Sequence, residues 1–107
     1  MTAPVLPLGT YVIYFGSIRD EYAESYSVQG LCDCQLCATP NNGQPRYRLL
    51  GEHVRWDHHS RTWERVGGPD LTHVDAAHVL PSPDGPEPWQ SNQQTLRELG
   101  VPAPDWI

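Results

Sequence analysis

The chain has 107 residues, of which 38% are hydrophobic, and a formal net charge of −6, with seven arginines, no lysine and thirteen acids. This length suits one domain, and the acidic balance argues against generic binding to nucleic-acid phosphates. Residues 1–9 carry no basic leader and residues 12–15 are too short to span a membrane, so we expect a cytoplasmic protein without a membrane partner.

The predicted elements begin with a β-rich N-terminal half. Residues 10–15 and 25–31 combine β-branched and aromatic side chains, and a polar, acidic loop at 17–24 separates them. Residues 46–56 resume the pattern, with apolar side chains alternating on either side of a bulge expected at Gly51. We predict strands at 10–15, 25–31, 46–50, 53–56, 62–66, 71–74 and 79–80, a hairpin over 53–66 and one helical turn at 75–78.

Grouped as five short strands, these segments have a long first loop and a single helical turn before the last strand. That plan resembles an SH3-like or Tudor-like β-barrel over residues 9–81. The resemblance implies a mostly β fold, a five-stranded barrel and a surface that binds proline-rich or methylated segments. The composition is a separate resemblance: no lysine, eleven prolines and frequent arginine, glycine and aspartate are similar to uncharacterised actinobacterial or actinophage proteins.

The composition changes near residue 81. Six of the eleven prolines fall in residues 81–107, together with four acids and one arginine. We therefore divide the chain into a barrel domain at 1–81 and a proline-rich, acidic tail at 82–107, which begins as an extended linker.

A short helix is predicted within the tail at residues 91–99. Ser91 is the expected N-cap, with Gln94 at the third helical position. Nine residues are marginal for an isolated helix, so we expect Trp89 and Trp106 to dock the tail onto the barrel or onto a partner.

Cys32, Cys34 and Cys37 form a C-x-C-x2-C cluster in an irregular loop at 32–45. Zinc is bound by thiolates in a tetrahedral shell, and closely spaced cysteines can wrap a tight loop around such an ion. Three cysteines are an odd number, which a disulfide framework does not favour. The cluster therefore predicts a zinc site. Reduced cysteines that pack in the interior are the first alternative, and a disulfide or redox role is the second.

The fourth zinc ligand must come from elsewhere in the chain. We rank His73 and His53, which lie on predicted strands, above His58 and His59, which lie at a polar hairpin tip. His78 is the remaining histidine. The sequence has neither an H-E-x-x-H motif nor the deaminase pattern, so a structural zinc ion is favoured over a catalytic one.

The aromatic and acidic residues of the first half are candidates for a ligand surface, as in SH3-like grooves. For the tyrosines, a place in the barrel core or at its rim is the simpler interpretation, and for the acidic first loop it is plain solvation. Trp56 and Trp63 flank the hairpin and are expected to pair across the strands, with core packing as the default. The candidate binding residues are Tyr14, Tyr22, Asp20, Glu21 and Trp56.

The leading hypothesis is a non-enzymatic protein-interaction module, stabilised by zinc, with a basic or proline-rich partner segment. A second hypothesis is a nucleic-acid-associated module, which the net charge disfavours. A third is a small metallo-enzyme, which needs an open coordination position. The second depends on a basic face formed by Arg46, Arg48, Arg55, Arg61 and Arg65.

Overall fold

The computed structural model describes residues 5–32 and 46–105 of the chain. Within these two ranges the fold is mostly β, as predicted, with one C-terminal helix. The strands are β1 (Tyr11–Tyr14), β2 (Ser25–Leu31), β3 (Arg46–Gly51), β4 (His53–Asp57), β5 (Thr62–Gly67), β6 (Leu71–Asp75) and β7 (Val79–Pro81). The helix is α1 (Trp89–Glu98), and two 3-10 turns cover Arg19–Glu21 and Ala76–His78.

Strand pairing produces two open antiparallel sheets. The larger has the order β6-β3-β2-β1-β7, and β4 and β5 form a separate hairpin. The hairpin over residues 53–66 was predicted, and so was the single helical turn before the last strand. The pairings leave β6 and β7 at the two edges of the larger sheet, so the described residues do not close the expected five-stranded barrel.

The interruption predicted near Gly51 is a change of sheet and not a bulge within one strand. β3 ends at Gly51 and β4 begins at His53 in the other sheet. A side chain on Gly51 would place its Cβ only 2.5 Å from the carbonyl carbon of Gly68. Glycine at position 51 therefore allows two chain segments to touch at the point where each of them passes between the larger sheet and the hairpin.

The main core lies on one face of the larger sheet. It is built from alternating residues of neighbouring strands, as a half-buried sheet requires. Its buried members are Val12, Tyr14, Tyr26, Val28, Tyr47, Leu49, Leu71, Val74 and Val79.

A second, smaller core lies on the other side of β1. There Ile13 packs in a cluster with Tyr22, Ala23 and Leu96, the last of which comes from α1. Because β1 is covered on both sides, its central residues are all apolar or aromatic instead of alternating with polar ones.

The helix starts two residues earlier than predicted and is docked by residues other than the expected ones. It begins at Trp89 after Pro88, so Ser91 is not its N-cap. Leu96 and Asn92 are each 1% exposed, whereas Trp89 remains 38% exposed. The Asn92 side-chain nitrogen lies 2.7 Å from the carbonyl oxygen of Ala23. Trp106 lies outside the described residues.

Replacing Leu96 by alanine is expected to destabilise the protein by about 2–4 kcal/mol, because it leaves a cavity between α1 and β1. Leu99→Ala is the matched control, since Leu99 is 60% exposed near the end of the same helix. That control is expected to change stability by less than about 0.5 kcal/mol. Urea denaturation followed by circular dichroism measures both. Equal losses in the two variants would show that α1 is not anchored through Leu96.

Candidate functional site

Cys32 is the one member of the cysteine cluster that falls within the described residues. It follows β2 directly, its backbone N–H donates to the carbonyl of Arg46 at 2.8 Å, and it is 8% exposed. Its sulfur lies 3.3 Å from Nδ1 of His73. Of the histidines ranked from the sequence, His73 is therefore the one beside Cys32. Cys34 and Cys37 lie outside the described residues.

A β-bulge places His73 next to Cys32. β3 pairs Tyr47 with Val74 and Leu49 with Leu71, so three steps along β6 face two steps along β3. His73 lies inside this irregularity with a φ of 58°, in the left-handed region. Bulges redirect a side chain out of the regular alternation of a strand. A non-glycine residue with positive φ is uncommon and is often found at functional positions.

The spacing between the two side chains suits ligands of one metal ion. Zinc lies about 2.3 Å from sulfur and about 2.0 Å from nitrogen, so two ligands at a tetrahedral angle are about 3.5 Å apart. The observed 3.3 Å is near this value and also fits a direct S···N hydrogen bond. Within residues 5–32 and 46–105, no group of three or more His, Cys, Asp or Glu side chains could hold a metal ion.

His53, the other highly ranked ligand, lies far from the cysteine. Its ring contacts Tyr26, at the opposite end of β2 from Cys32. Six residues of extended chain span about 20 Å. The structure therefore does not bring His53 and Cys32 together. β3 starts at Arg46 beside Cys32 and runs antiparallel to β2 towards Tyr26, so His53 follows the far end of β3.

His53 belongs instead to a group of contacting ionisable side chains, which we name the buried polar cluster: Glu21, Glu24, Tyr26, His53 and Arg55. Four of its members are buried, and Arg55, which is exposed, covers the group from outside. Nε2 of His53 lies 3.1 Å from Oε2 of Glu21, and Nδ1 lies 3.5 Å from Oε2 of Glu24. Both ring nitrogens thus face carboxylate oxygens. The imidazole also packs edge-on against the ring of Tyr26, with centroids 5.4 Å apart.

Two further contacts complete the buried polar cluster. The Tyr26 hydroxyl donates to Glu21, and Arg55 donates to both carboxylate oxygens of Glu24, with Nη1 to Oε1 at 3.0 Å. Desolvation by burial, followed by the hydrogen bond to Glu21, raises the pKa of Tyr26 well above its ordinary value. The hydrogen bond to Glu24 is the main reason why the pKa of Arg55 is raised. Every member has a partner, so the cluster ties the first loop to β2 and β4.

The interpretation of the first loop as plainly solvated is wrong for two of its acids. Asp20 is exposed, but Glu21 is 9% and Glu24 4% exposed. The 3-10 turn Arg19–Glu21 directs the chain inward at this point. Buried carboxylates need partners. Tyr26 on β2 is a nearby partner of Glu21, but His53 and Arg55 lie on β4, about thirty residues further along the chain. Nothing local in the sequence identifies that pairing.

Of the tyrosines suggested for a groove, Tyr14 and Tyr22 are buried, at 4% and 5% exposed. Tyr14 belongs to the main core, and its hydroxyl accepts a hydrogen bond from the backbone N–H of Ile18. Burial raises the pKa of Tyr22. The interpretation of these residues as core therefore fits their positions better than an exposed groove does.

Trp56 and Trp63 pair across the β4–β5 hairpin, as predicted, but core packing does not apply to them. Their ring centroids are 5.4 Å apart with the planes at 68°, an edge-to-face arrangement. Trp56 is 41% and Trp63 52% exposed. Exposed indoles held in a fixed geometry are typical of binding surfaces, where Trp is enriched.

The two indoles line a depression that we call the tryptophan groove. It consists of two adjoining cavities of about 690 Å³ and about 360 Å³ that share Val54, Trp63 and Gln90. One wall is the β4–β5 hairpin, and the other is the chain that enters α1. The remaining lining residues are Glu24, Arg55, Trp56, Arg65, Pro86, Glu87, Pro88, Trp89 and Ser91.

Arg55 and Arg65, both among the arginines proposed for a basic face, have neighbouring carboxylates. Arg55 is paired with Glu24, and Arg65 lies 3.2 Å from Glu52 and 3.0 Å from the hydroxyl of Tyr11. These contacts raise the pKa of Arg65, the hydrogen bond to Tyr11 most of all. The positive charge of the hairpin is therefore partly compensated within the protein.

No protein-family model matches the chain, and neither the curated proteins nor the solved structures include a significant match. Over the described ranges, none of the helical segments combines the length and apolar character required to cross a bilayer.

Proposed function

We propose that this chain is a non-enzymatic protein-interaction module that binds a segment of a partner protein in the tryptophan groove. The observation that carries the proposal is the pair of exposed, edge-to-face indoles: Trp63 lines the cavity of about 690 Å³, and both Trp56 and Trp63 line the adjoining cavity of about 360 Å³. Tryptophan is among the residues that contribute most to binding energy when a partner covers it.

The walls of the groove suit recognition of an extended segment. The hairpin wall belongs to an antiparallel strand pair, and the facing wall contains Pro86 and Pro88, which limit the conformations of that chain. A groove with constrained walls binds at a lower entropic cost than a surface that must first become ordered.

We further propose that the strands complete an SH3-like barrel. In support, β7 follows a 3-10 turn and pairs antiparallel with β1, while β1, β2 and β3 are consecutive neighbours. The strand pair that changes sheet near Gly51 and Gly68 supplies the bend that such a barrel needs.

A structural zinc ion bound by Cys32, Cys34, Cys37 and His73 is the third part of the proposal. Its support is the 3.3 Å separation of the Cys32 sulfur and Nδ1 of His73, together with the C-x-C-x2-C spacing. The ion would join the end of β2 to the bulge of β6, two strands that do not pair directly with each other. Metal staples of this kind are common where a small core supplies limited stability.

Selection of binding peptides from a display library tests the interaction function. Peptides that bind the wild type are expected to lose about 30-fold in affinity with Trp63→Ala, because truncating a central tryptophan costs about 2 kcal/mol. Val66→Ala is the control, since Val66 is 59% exposed on the same strand and does not line the groove. Its affinity is expected to stay unchanged by fluorescence titration. Selected peptides that ignore Trp63, or a failure to select any, would contradict the proposal.

A further inference from the structure

The charges around the tryptophan groove indicate which kind of segment it accepts, if the groove is the binding site proposed above. The two arginines of its lining are matched by acids of the same protein: Arg55 by Glu24 and Arg65 by Glu52. The remaining charged residue in the lining is Glu87. Its carboxylate has no ion pair or hydrogen bond with any residue in the described part of the chain, so the groove has an unmatched negative charge.

Glu87 is anchored at this position through its backbone. Its N–H donates to the hydroxyl of Ser25 at 3.1 Å, and its carbonyl accepts from the same hydroxyl at 3.0 Å. The amide of Asn92 lies 3.2 Å from that carbonyl. Ser25 and Asn92 are each 1% exposed, so the main chain of Glu87 is attached to the interior, and Glu87 is one of the residues that line the cavity.

The indole of Trp63 lines the same cavity as Glu87. An aromatic face attracts a cation, and a nearby carboxylate adds to that attraction. The net charge of −6 also favours encounter with basic segments. A neutral or acidic segment would leave Glu87 without a counter-charge.

We infer that the groove binds an extended peptide segment with an arginine side chain, whose guanidinium contacts both Glu87 and the indole of Trp63. The flanking residues of the segment lie along Val54 and against Trp56. Arginine fits better than a smaller cation because its planar group can stack on an indole and still donate to a carboxylate.

Three synthetic peptides test this inference: a seven-residue proline–alanine peptide with a central arginine, and the same peptide with citrulline or glutamate in its place. Citrulline keeps the shape of arginine and removes its charge. The arginine peptide is expected to bind about fivefold to tenfold more tightly than the citrulline peptide. The indole N–H signal of Trp63, followed by NMR during the titration, reports binding in the groove.

Glu87→Gln is expected to abolish the preference for arginine over citrulline. The matched control is Glu98→Gln, which removes the same charge from the exposed end of α1, outside the groove. Glu98→Gln is expected to keep the preference for arginine. If the preference came only from the net charge of the protein, the two variants would weaken it equally. Equal binding of the arginine and citrulline peptides to the wild type would overturn the inference, and so would a failure of all three to shift the Trp63 signal. The groove itself is tested separately: it would be rejected if the library yields no binding peptide, or if the selected peptides do not depend on Trp63.

Discussion

Purified protein is expected to contain one zinc ion per chain and to unfold when a strong chelator removes it. Structural zinc contributes apparent binding free energies of about 10–16 kcal/mol in zinc-finger peptides, which is comparable with or greater than the stability of about 5–15 kcal/mol that is typical of a domain. Inductively coupled plasma mass spectrometry measures the metal content. Circular dichroism before and after chelation, followed by re-addition of zinc, measures the structural change. A content below about one zinc per three chains, with a fold that the chelator leaves intact, would contradict the zinc proposal.

His73→Gly separates the role of His73 as a ligand from the strain of its backbone. His73 has a φ of 58°, a conformation that glycine adopts readily. If His73 only packs beside Cys32, the glycine variant is expected to be as stable as the wild type or more stable. If His73 binds zinc, the variant is expected to lose roughly 100-fold in zinc affinity, about one quarter of the binding free energy of a four-ligand site.

His78→Ala is the control for the zinc measurement. His78 is exposed in the 3-10 turn after β6, and its backbone carbonyl accepts from Phe15 whatever its side chain. Competition with a chromophoric chelator is expected to give the wild-type affinity for this variant. A loss as large as that of His73→Gly would show that the measurement reports general destabilisation and not ligation.

Much of the fold could be predicted because it is encoded in local patterns. The strand over Ser25–Leu31 and the hairpin with its Trp56–Trp63 pair follow from β-branched and aromatic residues separated by turn residues. The interruption of the strand pattern at Gly51 was also predicted. The sequence did not show that this interruption is a change of sheet, because that change depends on contact with Gly68, seventeen positions away.

The candidate sites were predictable to different degrees for a related reason. Cysteine spacing and a histidine on a later strand were enough to suggest Cys32 and His73, although the bulge that brings them together is a tertiary feature. His53 was ranked with His73 because one sequence cannot tell which end of the sheet a strand reaches. The burial of Glu21 and Glu24 was missed because their charges are compensated only when β4 packs beside the first loop. The contribution of the segment before α1 to the groove was missed because it likewise depends on how the tail packs.

Replacing His53 by alanine is expected to cost about 3–5 kcal/mol of stability. The variant leaves a cavity beside Gly68 and Tyr26 and removes the contact between the imidazole and two buried carboxylates. Removing the imidazole leaves two buried carboxylates without one of their polar partners, and a buried polar group that loses its partner keeps the full cost of its desolvation. Guanidinium denaturation measures the loss.

His58→Ala is the matched control for His53→Ala, since His58 is exposed at the tip of the adjoining hairpin. It is expected to change stability by less than about 0.5 kcal/mol. If His53→Ala does not fold, Tyr26→Phe tests the same cluster more gently, because it removes only the hydroxyl that donates to Glu21. That variant is expected to lose about 1–2 kcal/mol. Losses below about 0.5 kcal/mol in both cluster variants would mean that water, and not His53 and Tyr26, satisfies the carboxylates in solution.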